Sequence, residues 1–117
     1  MTTMTENDKR IALEQRIVRF MLRELSKAGW IPTHVDTGDD DDPYVPVSGE
    51  RQTMEEVTSV DTCSITFGKP YSSRVHGVLV VLGNGVDVIA DYSDYEGDNF
   101  TVTMDRITDL ITEKYDQ

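Results

Sequence analysis

From residue 7 to residue 28 apolar residues recur at helical spacing, and no other feature constrains this chain as strongly. At ~100° per residue, Ile11, Ile17, Val18, Met21, Leu22, Leu25 and Ala28 fall on one broad stripe, the pattern of a helix with one face against a core. Arg16, Arg19, Arg23 and Lys27 fall together on the opposite side. Thr5 precedes the pattern and is placed to accept from the free N–H groups of a first turn, where Glu6 and Asp8 suit the positive end of the helix dipole. Gly29 then sits where a helix commonly closes on a left-handed residue. A helix of this kind is stable only against a second layer.

The rest of the chain supplies that layer as strands. Residues 30–35 read as a short extended segment, and Pro32 argues for an edge, because it has no N–H to give a ladder. In residues 62–67, Cys63, Ile65 and Phe67 alternate with Thr62, Ser64 and Thr66, the period of a half-buried strand. Residues 75–82 are apolar on both faces, as in a central strand. Gly83-Asn84-Gly85 has the backbone freedom of a tight hairpin turn, and residues 86–91 return as its partner with Val86, Val88 and Ala90 on one face. Ser48-Gly49-Glu50 is placed to cap a short helix over residues 50–58, with Met54 and Val57 inward. From residue 103 to residue 115, Met104, Ile107, Leu110, Ile111 and Tyr115 give a closing helix.

These elements predict an α+β fold: a long N-terminal helix, a three- or four-stranded antiparallel β-meander and a C-terminal helix, with the helices on one face of the sheet. A length of 117 residues suits a single domain. Residues 1–5 are expected to be disordered. Residues 36–43 hold four consecutive aspartates followed by Pro43 and are expected to form an exposed acidic loop, since like charges repel and Asp favours turns.

Charge is the unusual bulk property, with 22 acidic residues against 11 basic and a formal net charge of −11. It is lopsided. Residues 1–29 carry four acids (Glu6, Asp8, Glu14, Glu24) and six bases (Lys9, Arg10, Arg16, Arg19, Arg23, Lys27), a net of +2. Residues 30–117 carry the other 18 acids and five bases, a net of −13. Such a field steers partners and favours solubility; it says nothing about fold.

Catalytic patterns are absent, and no enzyme is expected. There is no G-x-S-x-G elbow. Cys63 lies in an alternating strand, where a lone cysteine is a small buried hydrophobe. His76 stands at a strand start, the place of a satisfied structural histidine. Gly83-Asn84-Gly85 lacks the length and the Lys-Ser/Thr ending of a phosphate loop and precedes a strand. Neither acidic loop has the D-x-[DN]-x-[DN]-G-x₅-E spacing of a calcium loop, so no metal or other cofactor is expected. Direct nucleic-acid binding needs a basic footprint. The only one here is the stripe Arg16, Arg19, Arg23, Lys27, which reads as a solvated face, or as one that pairs with the chain's own acids or with a second copy in a homodimer. The single cysteine, an N-terminus without a basic and apolar leader, and apolar runs too short to span a bilayer predict a cytoplasmic protein without membrane contact.

The acidic surface has two readings. One is solubility, or an ordinary partner-binding surface. The other is mimicry of nucleic acid, whose dense phosphate charge is held by Lys and Arg. Both place the partner-binding residues in the acidic loops: Asp39, Asp40, Asp41 and Asp42 in one, and Asp91, Tyr92, Asp94, Tyr95, Glu96 and Asp98 in the other. Tyrosines among acids are typical interface anchors, being amphipathic and stiff. Asp105, Asp109 and Glu113 of the closing helix extend the surface.

The stretch Val81-Leu82-Gly83-Asn84-Gly85-Val86-Asp87-Val88-Ile89-Ala90-Asp91-Tyr92-Ser93 resembles a "GN-(D)G-x-DVI-x-DYT" segment of small accessory proteins of phages, plasmids and other mobile elements. Those chains are similar in layout too, with a first helix ending in Gly-aromatic, an acidic loop, a meander and a closing helix. The likeness departs at the turn, where an extra Asp or Gly would lengthen Gly83-Asn84-Gly85. The resemblance implies a setting in a bacterial host cell. Small acidic proteins of mobile elements often act against host defence as anti-restriction or anti-CRISPR inhibitors. The expected partner is then a basic surface of a host protein or nucleoprotein complex.

Overall fold

The computed structural model describes residues 5–38, 41, 44–70, 72–93 and 99–115. Helix α1 (Glu6–Lys27) starts on a reciprocal cap: the Asp8 N–H donates to Thr5 Oγ1 at 3.1 Å, and the Thr5 N–H donates to Asp8 Oδ2 at 3.2 Å. Thr5 is thus the cap residue of α1, and the rest of the segment expected to be disordered, residues 1–4, lies outside the described residues. The helix ends as the spacing predicts. Gly29 has φ +94°, its N–H donates to the Ser26 carbonyl at 3.0 Å, and the Trp30 N–H reaches back to the Leu25 carbonyl at 2.8 Å. This paired closure turns the chain and buries Trp30 beside the last turn.

Strands β1 (Ile31–Asp36), β2 (Tyr44–Pro46), β3 (Thr62–Gly68), β4 (Val75–Val81) and β5 (Ile89–Tyr92) form one antiparallel sheet in the order β2-β1-β3-β4-β5. The sheet has five strands, the added one being β2, only three residues long and ending in a proline. β2 and β3 both run antiparallel to β1, so they are parallel to each other, and helix α2 (Gly49–Val57) carries the chain over β1 between them. Ser48 stands at the cap position of α2, but its side chain makes no capping bond; its N–H donates instead to Gln52 Oε1 at 2.7 Å.

The position of Pro32 is likewise corrected. β1 is an interior strand, because β2 pairs with it at His34, Val35 and Asp36. Pro32 is accommodated because β2 does not extend that far and a bulge falls between Pro32 and His34.

The return strand after β4 is shorter than expected. Gly83 and Gly85 both have positive φ, but a 3₁₀ turn (Gly85–Asp87) follows, and β5 begins only at Ile89. A register shift between Leu79 and Val80 then leaves Ala90 exposed while Val88 is fully buried. The shared face expected of Val86, Val88 and Ala90 is not formed.

Helix α3 (Phe100–Tyr115) completes the fold. One core joins all three helices to the sheet: Ile17, Met21 and Leu25 of α1, Met54 and Val57 of α2, and Phe100, Met104 and Ile107 of α3 meet Val35, Ile65, Phe67, Val78 and Val80. The helices therefore cover one face. Phe100 stacks on His76 at 4.4 Å between ring centres, and Trp30 meets both edge-on. His76 is thus held within the core, 5% exposed.

Candidate functional site

No helix among the described residues covers the other face of the sheet. In β3 and β4 the pleat sends Cys63, Ile65, Phe67, His76, Val78 and Val80 inward, and Thr62, Ser64, Thr66, Val75, Gly77 and Leu79 outward. Strand register then aligns residues distant in sequence. One row across all five strands reads Tyr44, Asp36, Ser64, Leu79, Asp91. The next reads Pro46, His34, Thr66, Gly77, and Ser93 closes it by donating its N–H to the Gly77 carbonyl at 2.9 Å.

Three of the residues expected to bind a partner lie among the described residues. Asp91 is exposed in the first row and caps its own strand end, where Oδ1 accepts from the Tyr92 N–H at 2.9 Å. Tyr92 points the other way. It pairs with inward-facing Val78, is half-buried, and donates its hydroxyl to Asp105 Oδ1 on α3. Burial, together with that hydrogen bond, raises its phenol above the ordinary value. Asp41 is exposed. Asp39, Asp40, Asp42, Asp94, Tyr95, Glu96 and Asp98 lie outside the described residues. Asp36, which the site assignment did not include, shares a row with Asp91 because β3 and β4 stand between their strands.

Among the described residues the ion pairs gather on the helices. Every ion pair between described residues uses a glutamate of α1 or α2: Glu6 with Lys9, Glu14 with Arg10, Glu24 with Lys27 and Arg106, Glu50 with Arg23, and Glu55 with Arg51. The Glu24 carboxyl is held below its ordinary value, first by its hydrogen bond to Lys27 and then by the charges of Lys27 and Arg106. Arg23 and Lys27 of the basic stripe are thus compensated within the chain, whereas Arg16 and Arg19 meet no acid among the described residues. None of these pairs uses an aspartate, and no strand contains Lys or Arg.

A groove of about 560 Å³ lies on the helix side between α1, β1 and the start of α2. Leu22, Ile31 and Val47 line it, with Arg23 and Glu50 also contributing. Among the described residues no three of His, Cys, Asp and Glu are grouped to hold a metal ion, and no helix is long and apolar enough to cross a membrane. Cys63 is buried, and desolvation pushes its thiol up to about 11.

Two residues that shape the structure were passed over in the sequence. Glu14 is 1% exposed, and its Oε2 accepts from the N–H groups of Gly83 at 2.7 Å and Gly85 at 2.8 Å. The signal was its spacing, since residues 14, 17, 18, 21 and 25 share one helix face. Gly77 is a lone glycine inside a strand of valine, leucine and one histidine, a pattern that marks a bulge or a close approach. No protein family, curated protein or solved structure matches this chain.

Proposed function

We propose that this chain is a non-enzymatic acidic binding protein of a phage or other mobile element. In this reading it occupies a basic, nucleic-acid-binding surface of a bacterial host defence complex, in the manner of an anti-CRISPR or anti-restriction inhibitor, and acts in the host cytoplasm. The observation that carries the reading is the segregation of charge. The bases of the helix layer are largely paired with helix glutamates, whereas Asp36 and Asp91 stand on the sheet face away from the described helices, without a described cation. A uniformly solubilising surface has no reason to sort its charges by layer.

The test is capture from a lysate of the natural host. Recovery of a nucleic-acid-binding protein is expected, reduced at least tenfold by Asn in place of Asp39–Asp42, or of Asp91, Asp94 and Asp98. Competitor duplex DNA is expected to displace it. Capture indifferent to competitor DNA sinks occlusion of a nucleic-acid groove.

Arg16 and Arg19 favour a second reading, an interaction module that self-associates. Their side of α1 and the open sheet face lie on opposite layers, so pairing them gives a head-to-tail contact and not a closed two-fold dimer. Sizing runs across salt concentrations separate the readings: assemblies that dissociate as salt rises favour self-pairing.

A further inference from the structure

We propose that the sheet face bearing Leu79 and Gly77, which no described helix covers, is a platform for a cationic segment of a partner protein, bearing an apolar residue between two Lys or Arg. The proposal rests on the basic-partner reading above and names the surface and the chemistry that fits it.

Gly77 carries the argument. It sits in the middle of β4, a strand whose other residues are all valine, leucine or histidine. A glycine inside a strand weakens it unless something requires one. The backbone does not, because Gly77 is not among the glycines with positive φ. Packing within the chain does not either: an added Cβ would meet Ser64 Oγ at 3.5 Å and Ser93 Oγ at 4.0 Å, ordinary contact distances. What the missing side chain leaves is a low point on the outside of the sheet, flanked by Ser64 and by Ser93, whose Oγ accepts the Gly77 N–H at 2.8 Å, with Thr66 opposite in β3. Val75 and Leu79 border it along the strand, 63% and 37% exposed.

Charge decides what lies over this low point. Asp36 and Asp91 lie in the row of Leu79, three strand spacings apart, or ~14 Å. An extended segment spans that distance in about four residues at ~3.4 Å each, which places cations at positions i and i+4 and an apolar residue at i+2 over Ser64 and Leu79, one pleat repeat along β4 from Gly77. Nucleic acid is the wrong occupant, because its phosphates would face two carboxylates. A second copy is disfavoured by layer, since Arg16 and Arg19, which meet no acid among the described residues, lie on the helix side, and pairing them with this face leads to open-ended assembly.

The probe is the peptide acetyl-Lys-Arg-Ala-Leu-Ala-Arg-Lys-amide, titrated into the full ¹⁵N-labelled chain and followed by amide shifts. Saturable shifts at Ser64, Thr66, Gly77, Leu79 and Asp91 are expected. Gly77→Val, which fills the low point with a strand-favouring side chain, is expected to weaken binding at least tenfold without lowering the thermal midpoint. Gly77→Ser serves as a milder filling. The Asp36→Asn, Asp91→Asn double variant is expected to weaken binding and flatten its salt dependence. Shifts confined to residues 39–42 and 94–98, with Gly77→Val binding as tightly as the parent, overturn the platform and leave the basic-partner reading standing. No saturable shift anywhere overturns the platform and also counts against that reading.

Discussion

The Glu14 carboxylate accepts the Gly83 N–H at 2.7 Å, joining the middle of α1 to the turn between β4 and β5. The same oxygen takes the Gly85 N–H at 2.8 Å, and Arg10 Nε lies 3.6 Å from the other oxygen. Gly83 and Gly85, on either side of Asn84 and both with positive φ, turn their amides toward one anion, as in a backbone nest, and the anion is supplied by the chain itself. The contact pins the segment in which a 3₁₀ turn stands where a plain hairpin was expected. Glu14→Ala is expected to cost about 2–4 kcal/mol, because it leaves two part-buried N–H groups without an acceptor. Glu14→Gln keeps one acceptor oxygen and loses less. Urea unfolding measures the cost, and hydrogen exchange at Gly83 and Gly85 reports the freed amides; an alanine variant as stable as the parent refutes the role.

The two glycines at Gly29 and Gly77 are expected to respond oppositely to alanine. Gly29→Ala forces a side chain into φ +94° and is expected to destabilise by about 1–2 kcal/mol. Gly77→Ala meets no clash and gains strand propensity, so its effect runs from neutral to about 1 kcal/mol stabilising. Thermal melts of both variants decide it; a large loss at Gly77 would mean that the fold itself needs that glycine.

Cys63 governs part of the alkaline limb of stability. An ordinary thiol has its pKa near 9.0, whereas the buried one stays neutral up to about 11. Between those values the unfolded chain has released a proton that the folded chain keeps, so stability falls as pH rises, by up to about 1.4 kcal/mol per unit. Below about pH 9 the contribution is fully present. The raised phenol of Tyr92 acts in the same direction at higher pH. Cys63→Val is expected to flatten the slope between pH 9 and 11, and the native thiol is expected to react with alkylating reagents only as fast as the protein opens.

Glu24 acts at the acid end with the opposite sign. Its folded value lies below 4.5, so its contribution is present above that pH and is lost as pH falls through the folded value. Lys27 Nζ at 2.8 Å and Arg106 Nη1 at 3.5 Å hold it, and Arg106 belongs to α3. Arg106→Ala is expected to cost less than about 1 kcal/mol at neutral pH. It should also make acid unfolding begin at higher pH. A pH titration of urea midpoints checks both, and an unchanged acid limb removes Glu24 from the account.

Where local pattern suffices, the sequence was legible. The span of α1, its cap at Thr5 and its stop at Gly29 follow from side-chain periodicity and two residues with strong backbone preferences. The faces of β3 followed from simple alternation, and Cys63 took its place in the core as that alternation implies. β2 was missed because three residues between an acidic loop and a helix carry no period. Glu14 was missed because a charge on an apolar stripe looks like noise until a nest of amides is placed opposite it.

The sequence alone determined the fold class, the helix positions and the excess of acid after Gly29, because each depends on residues within a few positions of one another. Only the tertiary structure decided that Asp36 and Asp91 share a row, that Tyr92 turns inward to Asp105, and that Gly77 lies between exposed Val75 and Leu79 on the face away from the described helices. Those relationships are set by strand register, in which a one-residue slip sends every side chain to the other face. Register is fixed by the burial of Ile65, Phe67, Val78 and Val80 beneath the helices, a condition on the whole fold that no single segment states.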